Sequence, residues 1–388
     1  MQIDIGKPQA DELEITTLGP GASSGESIVL HLTDDEWIII DSCMAGDKIL
    51  PLEYLHDIEV DYDKVTKVIC THWHTDHIKG LPEILRQCKN AQLFMAPVGD
   101  FKGYLDVVLK LAGIDPLGSF VWTILNNCLD TLEEVNHRSP KFISHNERFA
   151  HATDYDLYTI GPSDELIKRF HNSLLMIDPA KPSKDAVEKM EGNLCSVAFS
   201  IRFKDQKVLL GGDMEVGRKI ADKYNYYLCE TQCPEHEECG WCEAIEDGNI
   251  FSDEKPYHFV NMPHHSSSSA YCPKMWNEGM IKEGLIATTT AFKCGQGEDL
   301  PTSEMLELYR QRCSGLFTTN GVNAVKDLRD VKDFEGADGI EVIDEIIDDE
   351  GIIISRWRNE EEGWKITCYG TAKLVDDEFM KTYHVTSN

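Results

Sequence analysis

Apolar residues along the chain are grouped into short runs that alternate with turns and with helical patterns. Trp37–Asp41 is nearly all apolar and Val65–Cys70 is a second such run, as expected of strands buried on both faces. Further strands are predicted over Glu14–Leu18, Ser27–Leu32, Tyr155–Ile160, Ser196–Phe203, Lys207–Gly211, Gly284–Thr290, Gly351–Trp357 and Trp364–Leu374. Strands interleaved with helical segments indicate the α/β class.

We predict a single domain over residues 1–388, because no low-complexity linker and no repeat of fixed period divides the chain. Three segments stand out within it. Residues from about 95 to 155 form a predicted helical insertion, and residues from about 225 to 256 form an insertion rich in Cys and acidic side chains. Residues from about 350 to 375 resemble a C-terminal β-hairpin.

The composition indicates which partners the protein binds and in which compartment we expect it. With 68 acidic and 37 basic residues the net charge is −31, which opposes a broad electropositive surface for nucleic acid or anionic lipid. No apolar run approaches the ~20 residues that a membrane-spanning helix needs. The polar N-terminal residues are unlike a signal peptide, and the 13 scattered cysteines are typical of reduced thiols. We therefore expect a cytoplasmic protein that does not bind membranes.

One segment, His72–His77 (HWHTDH), concentrates three imidazoles and a carboxylate directly after the predicted strand Val65–Cys70. Such a cluster would suffer desolvation and mutual repulsion unless a cation joined it. Imidazole and carboxylate together suit Zn²⁺, with Mn²⁺ or Fe²⁺ as alternatives. The segment therefore predicts a metal site at a strand end, where α/β scaffolds usually place their sites. The predicted ligands within it are His72, His74, Asp76 and His77.

This segment matches the HxHxDH motif of the metallo-β-lactamase-fold superfamily, and other segments resemble further motifs of that superfamily in the same order. Asp41 ends a predicted strand, as the aspartate of the first motif does. Gly211-Gly212-Asp213 resembles the GD motif, and Pro263–Ser267 resembles the late histidine motif. The resemblance implies an αββα sandwich that binds two divalent metal ions.

The finer pattern resembles the metallohydrolase domain of the ComEC/Rec2 DNA-uptake proteins and its stand-alone soluble relatives. Tyr158–Ser163 is similar to their strand with a Pro-Ser turn, and Asn193–Val197 to their Asn-x-x-Ser-Val strand. The chain departs from the pattern in three ways. The superfamily's middle histidine is not evident, Ser266 replaces the glycine of His-His-Gly-Ser, and Asp299-Leu300-Pro301 replaces a Gly-His-Pro segment.

The resemblance also implies roles. One half-site would hold His72 and His74, the other Asp76 and His77, with Asp213 as the bridge and either His264 or His265 completing the second half-site. The spare histidine of that pair either contacts or protonates the substrate or supports its neighbour. The candidate catalytic residues are Asp76 and His265. Asp41 and Asn193 are expected to support the ligands from behind.

A second cluster of candidate ligands lies between the GD motif and the late histidines. Its members follow a C-x3-C-x5-C-x2-C spacing: Cys229, Cys233, Cys239 and Cys242. The spacing predicts an additional structural Zn²⁺, and the alternatives are an acidic loop of reduced thiols or a redox role. An acidic rim here would disfavour long polyanions.

These features predict a metal-dependent hydrolase, most simply a dinuclear phosphodiesterase or nuclease that uses a metal-bound hydroxide. Its substrate would be DNA or a smaller nucleotide, and a protein partner is compatible with the sequence. The alternatives are an acyl hydrolase acting on a lactam, lactone or thioester, and a non-catalytic metal-binding partner protein. Loss of the middle histidine argues against the acyl hydrolase.

Overall fold

The computed structural model describes residues 6–97 except 22–23 and 34–35, isolated positions between 123 and 134, and 139–175, 192–216, 240–246, 256–277, 281–293, 299–320, 340–342 and 350–386. Three of the four cysteines of the predicted zinc cluster lie outside these residues. So does the side chain of the fourth, Cys242, and the predicted zinc site therefore stays a prediction. Within the described residues, no helix is long and apolar enough to cross a bilayer.

Two mixed sheets face each other. In the described residues the first sheet has nine strands. In spatial order they are β16 (Ile340–Val342), β18 (Trp364–Gly370), β17 (Gly351–Trp357), β1 (Leu13–Gly19), β2 (Ser27–His31), β3 (Trp37–Ile40), β6 (Val65–Cys70), β7 (Gln92–Met95) and β8 (Lys141–Phe142). β17 and β18 pair antiparallel, whereas β3, β6 and β7 run parallel.

The second sheet has eight strands among the described residues. In spatial order they are β19 (Lys373–Leu374), β15 (Gly315–Thr318), β14 (Ile281–Thr289), β13 (Tyr257–Asn261), β12 (Gln206–Leu210), β11 (Ala198–Phe203), β10 (Tyr155–Gly161) and β9 (Arg148–His151). β12, β13, β14 and β15 are parallel to one another. A separate pair consists of β4 (Met44–Ala45) and β5 (Lys48–Ile49).

The described residues contain eight α-helices. They are α1 (Leu50–Asp57), α2 (Thr75–Ile78), α3 (Leu81–Gln87), α4 (Asp164–Leu175), α5 (Gly240–Glu246), α6 (Pro273–Asn277), α7 (Ser303–Arg310) and α8 (Asp377–Thr386). Short 3₁₀ turns occupy Tyr62–Lys64, Gly192–Cys195, Pro263–Ser266 and Ser268–Ala270. α1 lies against β1 and β2, and α7 lies against β15. The predicted α/β class and αββα sandwich are confirmed by this architecture.

The core lies between the two sheets. Side chains of β2 and β3 on one side and of β11 on the other belong to the same buried apolar cluster. All four residues of β3 are buried, which is why its sequence is continuously apolar rather than alternating. Within the stretch from 95 to 155, where a helical insertion was expected, β8 and β9 each extend the edge of a sheet.

A partly buried carboxylate, Glu36, directly precedes β3 and links the two sheets. Glu36 accepts hydrogen bonds from Lys67 and Thr66 on β6 and from the Tyr155 hydroxyl on β10. The side chain of Glu36 is 19% exposed. Burial opposes ionisation, but Lys67 and Tyr155 outweigh it and lower the pKa of Glu36 below its usual range. The ionised carboxylate therefore holds β6 and β10 together.

We predict that Glu36→Gln lowers the free energy of unfolding at pH 7 by about 1–3 kcal/mol, because the amide nitrogen cannot accept a hydrogen bond and the neutral oxygen binds Lys67 more weakly. A carboxyl whose pKa is lowered on folding stabilises the protein above its unfolded pKa, and this contribution disappears as the pH falls through the folded pKa. Denaturant unfolding from pH 7 to pH 3 should therefore show the variant converging on the wild type. Glu361→Gln, at an exposed position, should be neutral. A pH-independent loss would contradict the assignment.

Candidate metal centre

The predicted ligands converge where parallel strands of both sheets end. Asp41 follows β3, and the His72–His77 segment follows β6 in the first sheet. In the second sheet Asp213 follows β12 and His264 and His265 follow β13. Because β3 and β6 are parallel neighbours, as are β12 and β13, their carboxyl ends meet at one edge of the sandwich. The fold thus brings together side chains that are almost 200 positions apart in sequence.

Asp41 organises the first part of the site from behind. Its carboxylate accepts hydrogen bonds from the Thr71 amide (2.7 Å) and the Thr71 hydroxyl (2.5 Å). The Oδ2 atom also lies 2.8 Å from Nδ1 of His77. This contact directs Nε2 of His77 towards the centre, where that buried nitrogen has no hydrogen-bond partner among the described residues. Asp41 therefore has the position expected of a residue that orients a ligand.

The ligand atoms form two groups on either side of Asp213. In the first half-site, Nε2 of His72 lies 3.0 Å from Nδ1 of His74 and 3.4 Å from Oδ2 of Asp213. In the second half-site, Oδ2 of Asp76 lies 3.5 Å from Nε2 of His77 and 3.2 Å from Nε2 of His265. The other carboxylate oxygen of Asp213, Oδ1, lies 3.4 Å from Nε2 of His77. Each oxygen of Asp213 thus faces a different half-site.

The two consecutive histidines lie in a turn of left-handed backbone conformation. His264, His265 and Ser266 have φ angles of 49°, 50° and 61°, which L-residues adopt at a cost of ~1–2 kcal/mol each. The His264 amide donates to the Gly212 carbonyl, and the Ser266 hydroxyl donates to Thr289 Oγ1 at 2.8 Å. These bonds help to hold the strained turn. The positive φ of Ser266 also explains why a glycine suits this position in the resembling sequences.

The turn places the two imidazoles in different surroundings. His265 is 1% exposed and faces Asp76, whereas the side chain of His264 is 20% exposed. Nε2 of His264 lies 3.9 Å from Oδ2 of Asp213 and 3.4 Å from Nδ2 of Asn193. Of the pair, His265 is therefore the histidine that lies beside Asp76, and which of the two binds metal stays a prediction. Asn193 contacts His264 at the edge of the first half-site.

Glu215, which the sequence reasoning missed, holds the other side of His264. Its Oε1 atom lies 2.9 Å from Nδ1 of His264 and accepts a hydrogen bond from Ser269 at 2.6 Å. Burial alone would lower the pKa of His264, but Asp213 and Glu215 outweigh it and raise the pKa to about 9. A signal was available, since Glu215 lies only two residues after the GD aspartate.

The carboxylates of the centre are ionised in spite of their burial. Burial alone would raise the pKa of Asp213, but His77, His72 and His264 lower it well below its ordinary value. Burial also opposes ionisation of Asp76, and the neighbouring His77 and His265 lower its pKa as well. Buried carboxylates of this kind require positive charge nearby.

The donor set fits divalent cations. Asp41, Asp76, Asp213 and a fourth carboxylate, Glu26, are all buried. Histidine nitrogens and carboxylate oxygens lie within 4.8 Å of one another in both groups, and His74 alone among these residues is exposed. With Nδ1 of His77 turned to Asp41, the unpartnered Nε2 is the atom that would carry the lone pair of the neutral ring.

Part of the chain matches a known protein family. The family model described as the metallo-beta-lactamase superfamily matches residues 20–116, which include Asp41 and the His72–His77 segment. Asp213, His264 and His265 lie beyond the matched segment. No curated protein is similar to the chain in sequence at a significant level.

Solved structures of low sequence identity are also similar to the chain. The metallo-beta-lactamase GOB-18 of Elizabethkingia meningoseptica is 13% identical, with 51% of this chain and 58% of that chain covered and a TM-score of 0.28. The Rm3 metallo-beta-lactamase is 13% identical, with 71% and 86% covered and a TM-score of 0.32. The short form of human tRNase Z is 13% identical, with 71% and 91% covered and a TM-score of 0.33.

We predict that Asp41→Asn weakens binding of a divalent metal by about 10–100-fold, the usual effect of removing a partner that orients a ligand. The amide nitrogen of Asn cannot accept from His77, so the ring loses its fixed orientation. Isothermal titration of the metal-free protein with Zn²⁺ measures the effect. Asp154→Asn, at an exposed position, is the control. Wild-type affinity in Asp41→Asn would show that Asp41 does not orient His77.

Proposed function

We propose that this chain, which carries a metallo-β-lactamase superfamily domain, is a dinuclear metallohydrolase that cleaves phosphodiester bonds. The observation that carries the proposal is the position of Asp213 between two groups of ligand atoms, with one carboxylate oxygen facing each. Two divalent ions bridged by one carboxylate are typical of sites that stabilise both the attacking and the leaving oxygen of a displacement.

The half-sites differ in how many protein ligands they offer. His72, His74 and Asp213 would hold one ion, and Asp76, His77, His265 and the second oxygen of Asp213 would hold the other. When bound, the ions supply Lewis acidity and a water of lowered pKa. The first half-site lacks the superfamily's middle histidine, so it leaves room for water or a substrate oxygen. Zn²⁺ suits this donor set, with Mn²⁺ and Fe²⁺ as the alternatives.

His264 is the histidine placed to meet the substrate. Its ring is partly exposed at the mouth of the centre, and Glu215 fixes the ring by contacting Nδ1. Nε2 then faces the bridge between the half-sites, where it can orient or protonate a leaving oxygen. We assign His265 to metal binding because it is buried and faces Asp76. The catalytic role expected of His265 stays a prediction, as does that of Asp76.

A phosphodiester is the favoured substrate for two reasons. The paired half-sites suit two negatively charged oxygens, and the sequence resembles the ComEC/Rec2 branch of nucleases. The net charge of −31 favours a nucleotide or short oligonucleotide over long duplex DNA. Both observations are compatible with phosphodiester hydrolysis. The resemblance favours DNA as the substrate, whereas the net charge favours a shorter nucleotide. The first alternative is an acyl hydrolase. The second alternative is a metal-binding partner protein that catalyses no reaction.

The test is hydrolysis by the purified protein loaded with Zn²⁺ or Mn²⁺. The substrates are bis(p-nitrophenyl) phosphate, a short single-stranded DNA, a linear duplex and the β-lactam nitrocefin. We expect turnover of the first two, with the rate falling by more than about 100-fold in Asp213→Ala, since a bridging ligand should matter more than an outer partner. The exposed Asp154→Asn variant should keep the wild-type rate.

Other outcomes separate the alternatives. Cleavage of nitrocefin alone would favour the acyl hydrolase. A metal-loaded wild-type protein that hydrolyses none of the four substrates would favour a binding protein. Phosphodiester turnover that is equal in wild type and Asp213→Ala would contradict the dinuclear assignment.

A further inference from the structure

A buried glutamate lies behind the second half-site without an evident structural reason. Glu26 is 4% exposed and stands directly before β2. Burial of a carboxylate is costly unless hydrogen bonds or positive charge compensate for it. The Glu26 amide donates to the Asp76 carbonyl at 3.2 Å, and its Oε2 accepts a hydrogen bond from Thr290 at 2.7 Å. The backbone and the side chain of Glu26 are therefore both hydrogen-bonded to residues around the second half-site.

Thr290 connects Glu26 with a predicted ligand. It follows β14, is fully buried, and its Oγ1 lies 2.8 Å from Nδ1 of His265. A threonine hydroxyl has one proton to donate. Thr290 donates that proton to Oε2 of Glu26, so Oγ1 is left to accept from Nδ1 of His265. The contact therefore places the ring proton of His265 on Nδ1.

The consequence is that the lone pair of His265 lies on Nε2. This nitrogen is 3.2 Å from Oδ2 of Asp76, inside the second half-site. The ring plane of His265 is held separately by Phe292, with centroids 5.4 Å apart and an interplanar angle of 26°. Phe292 constrains the plane of the ring, but it does not select which nitrogen carries the proton. Only the contact with Thr290 does so within the described surroundings.

We propose that Glu26 is a positioning residue that acts through Thr290 to make Nε2 of His265 the metal-binding atom. The inference rests on the proposed metal centre and deepens it. It concerns the second half-site alone, because the contacts of Glu26 and Thr290 in the described part of the chain lead to His265 and Asp76. We call the hydrogen-bonded series Glu26–Thr290–His265 the relay. Its loss should weaken metal binding at the second half-site and leave the first unchanged.

The experiment is a Zn²⁺ titration of the metal-free full-length protein, with the stoichiometry checked by native mass spectrometry. Thr290→Val removes the hydroxyl while keeping the shape of the side chain, and Thr290→Ser keeps the hydroxyl. We expect Thr290→Val to bind one ion with wild-type affinity and the second about 10–100-fold more weakly. Thr290→Ser should restore most of the second affinity. Glu26→Gln should weaken the same site, because a neutral amide holds the Thr290 proton less firmly.

Thr288→Val is the matched control, since Thr288 is an equally buried threonine whose hydroxyl contacts Thr17 rather than a ligand. It should lose comparable thermal stability in the metal-free state but retain both metal affinities. Equal second-site affinity in Thr290→Val and the wild type would overturn the relay, and wild-type affinity in Glu26→Gln would remove Glu26 from it. A wild-type protein that binds no Zn²⁺ would instead refute the metal centre itself.

Discussion

The burial of negative charge where two sets of parallel strands end is the constraint on which the rest of the site depends. Asp41, Asp76, Asp213 and Glu26 are withdrawn from water and lie among histidines. Hydrogen bonds satisfy the outer pair, Asp41 and Glu26, whereas Asp76 and Asp213 face ring nitrogens across 3.2–3.5 Å. Divalent ions bound between these carboxylates and histidines would supply the positive charge that such an arrangement needs.

The same constraint explains the outer parts of the centre. Each predicted histidine ligand of the second half-site has a partner at its far nitrogen, Asp41 for His77 and Thr290 for His265. His264 has Glu215 in the equivalent position, but its ring is partly exposed and borders the bridge rather than the interior. The strained turn thus places two consecutive histidines of one motif in different surroundings, and on this basis we propose different roles for them.

Much of this was predictable, because the informative residues are close together in the sequence. His72–His77 is contiguous, and the continuously apolar strands before it indicated the α/β class. The assignment of His264 and His265 was not predictable, since it depends on three consecutive positive φ angles that no local pattern announces. Glu26 and Thr290 were missed for a different reason. A single glutamate or threonine in the sequence indicates no metal site. Glu26 and Thr290 reach His265 only because the two sheets pack against each other.

The most direct measurement of the central claim is an anomalous-diffraction crystal structure of the protein grown with Zn²⁺. We predict two anomalous peaks about 3.5–4 Å apart, one on each side of the Asp213 carboxylate, with Nε2 of His265 bound to the ion of the second half-site. A single peak, or two peaks that do not share Asp213, would contradict it.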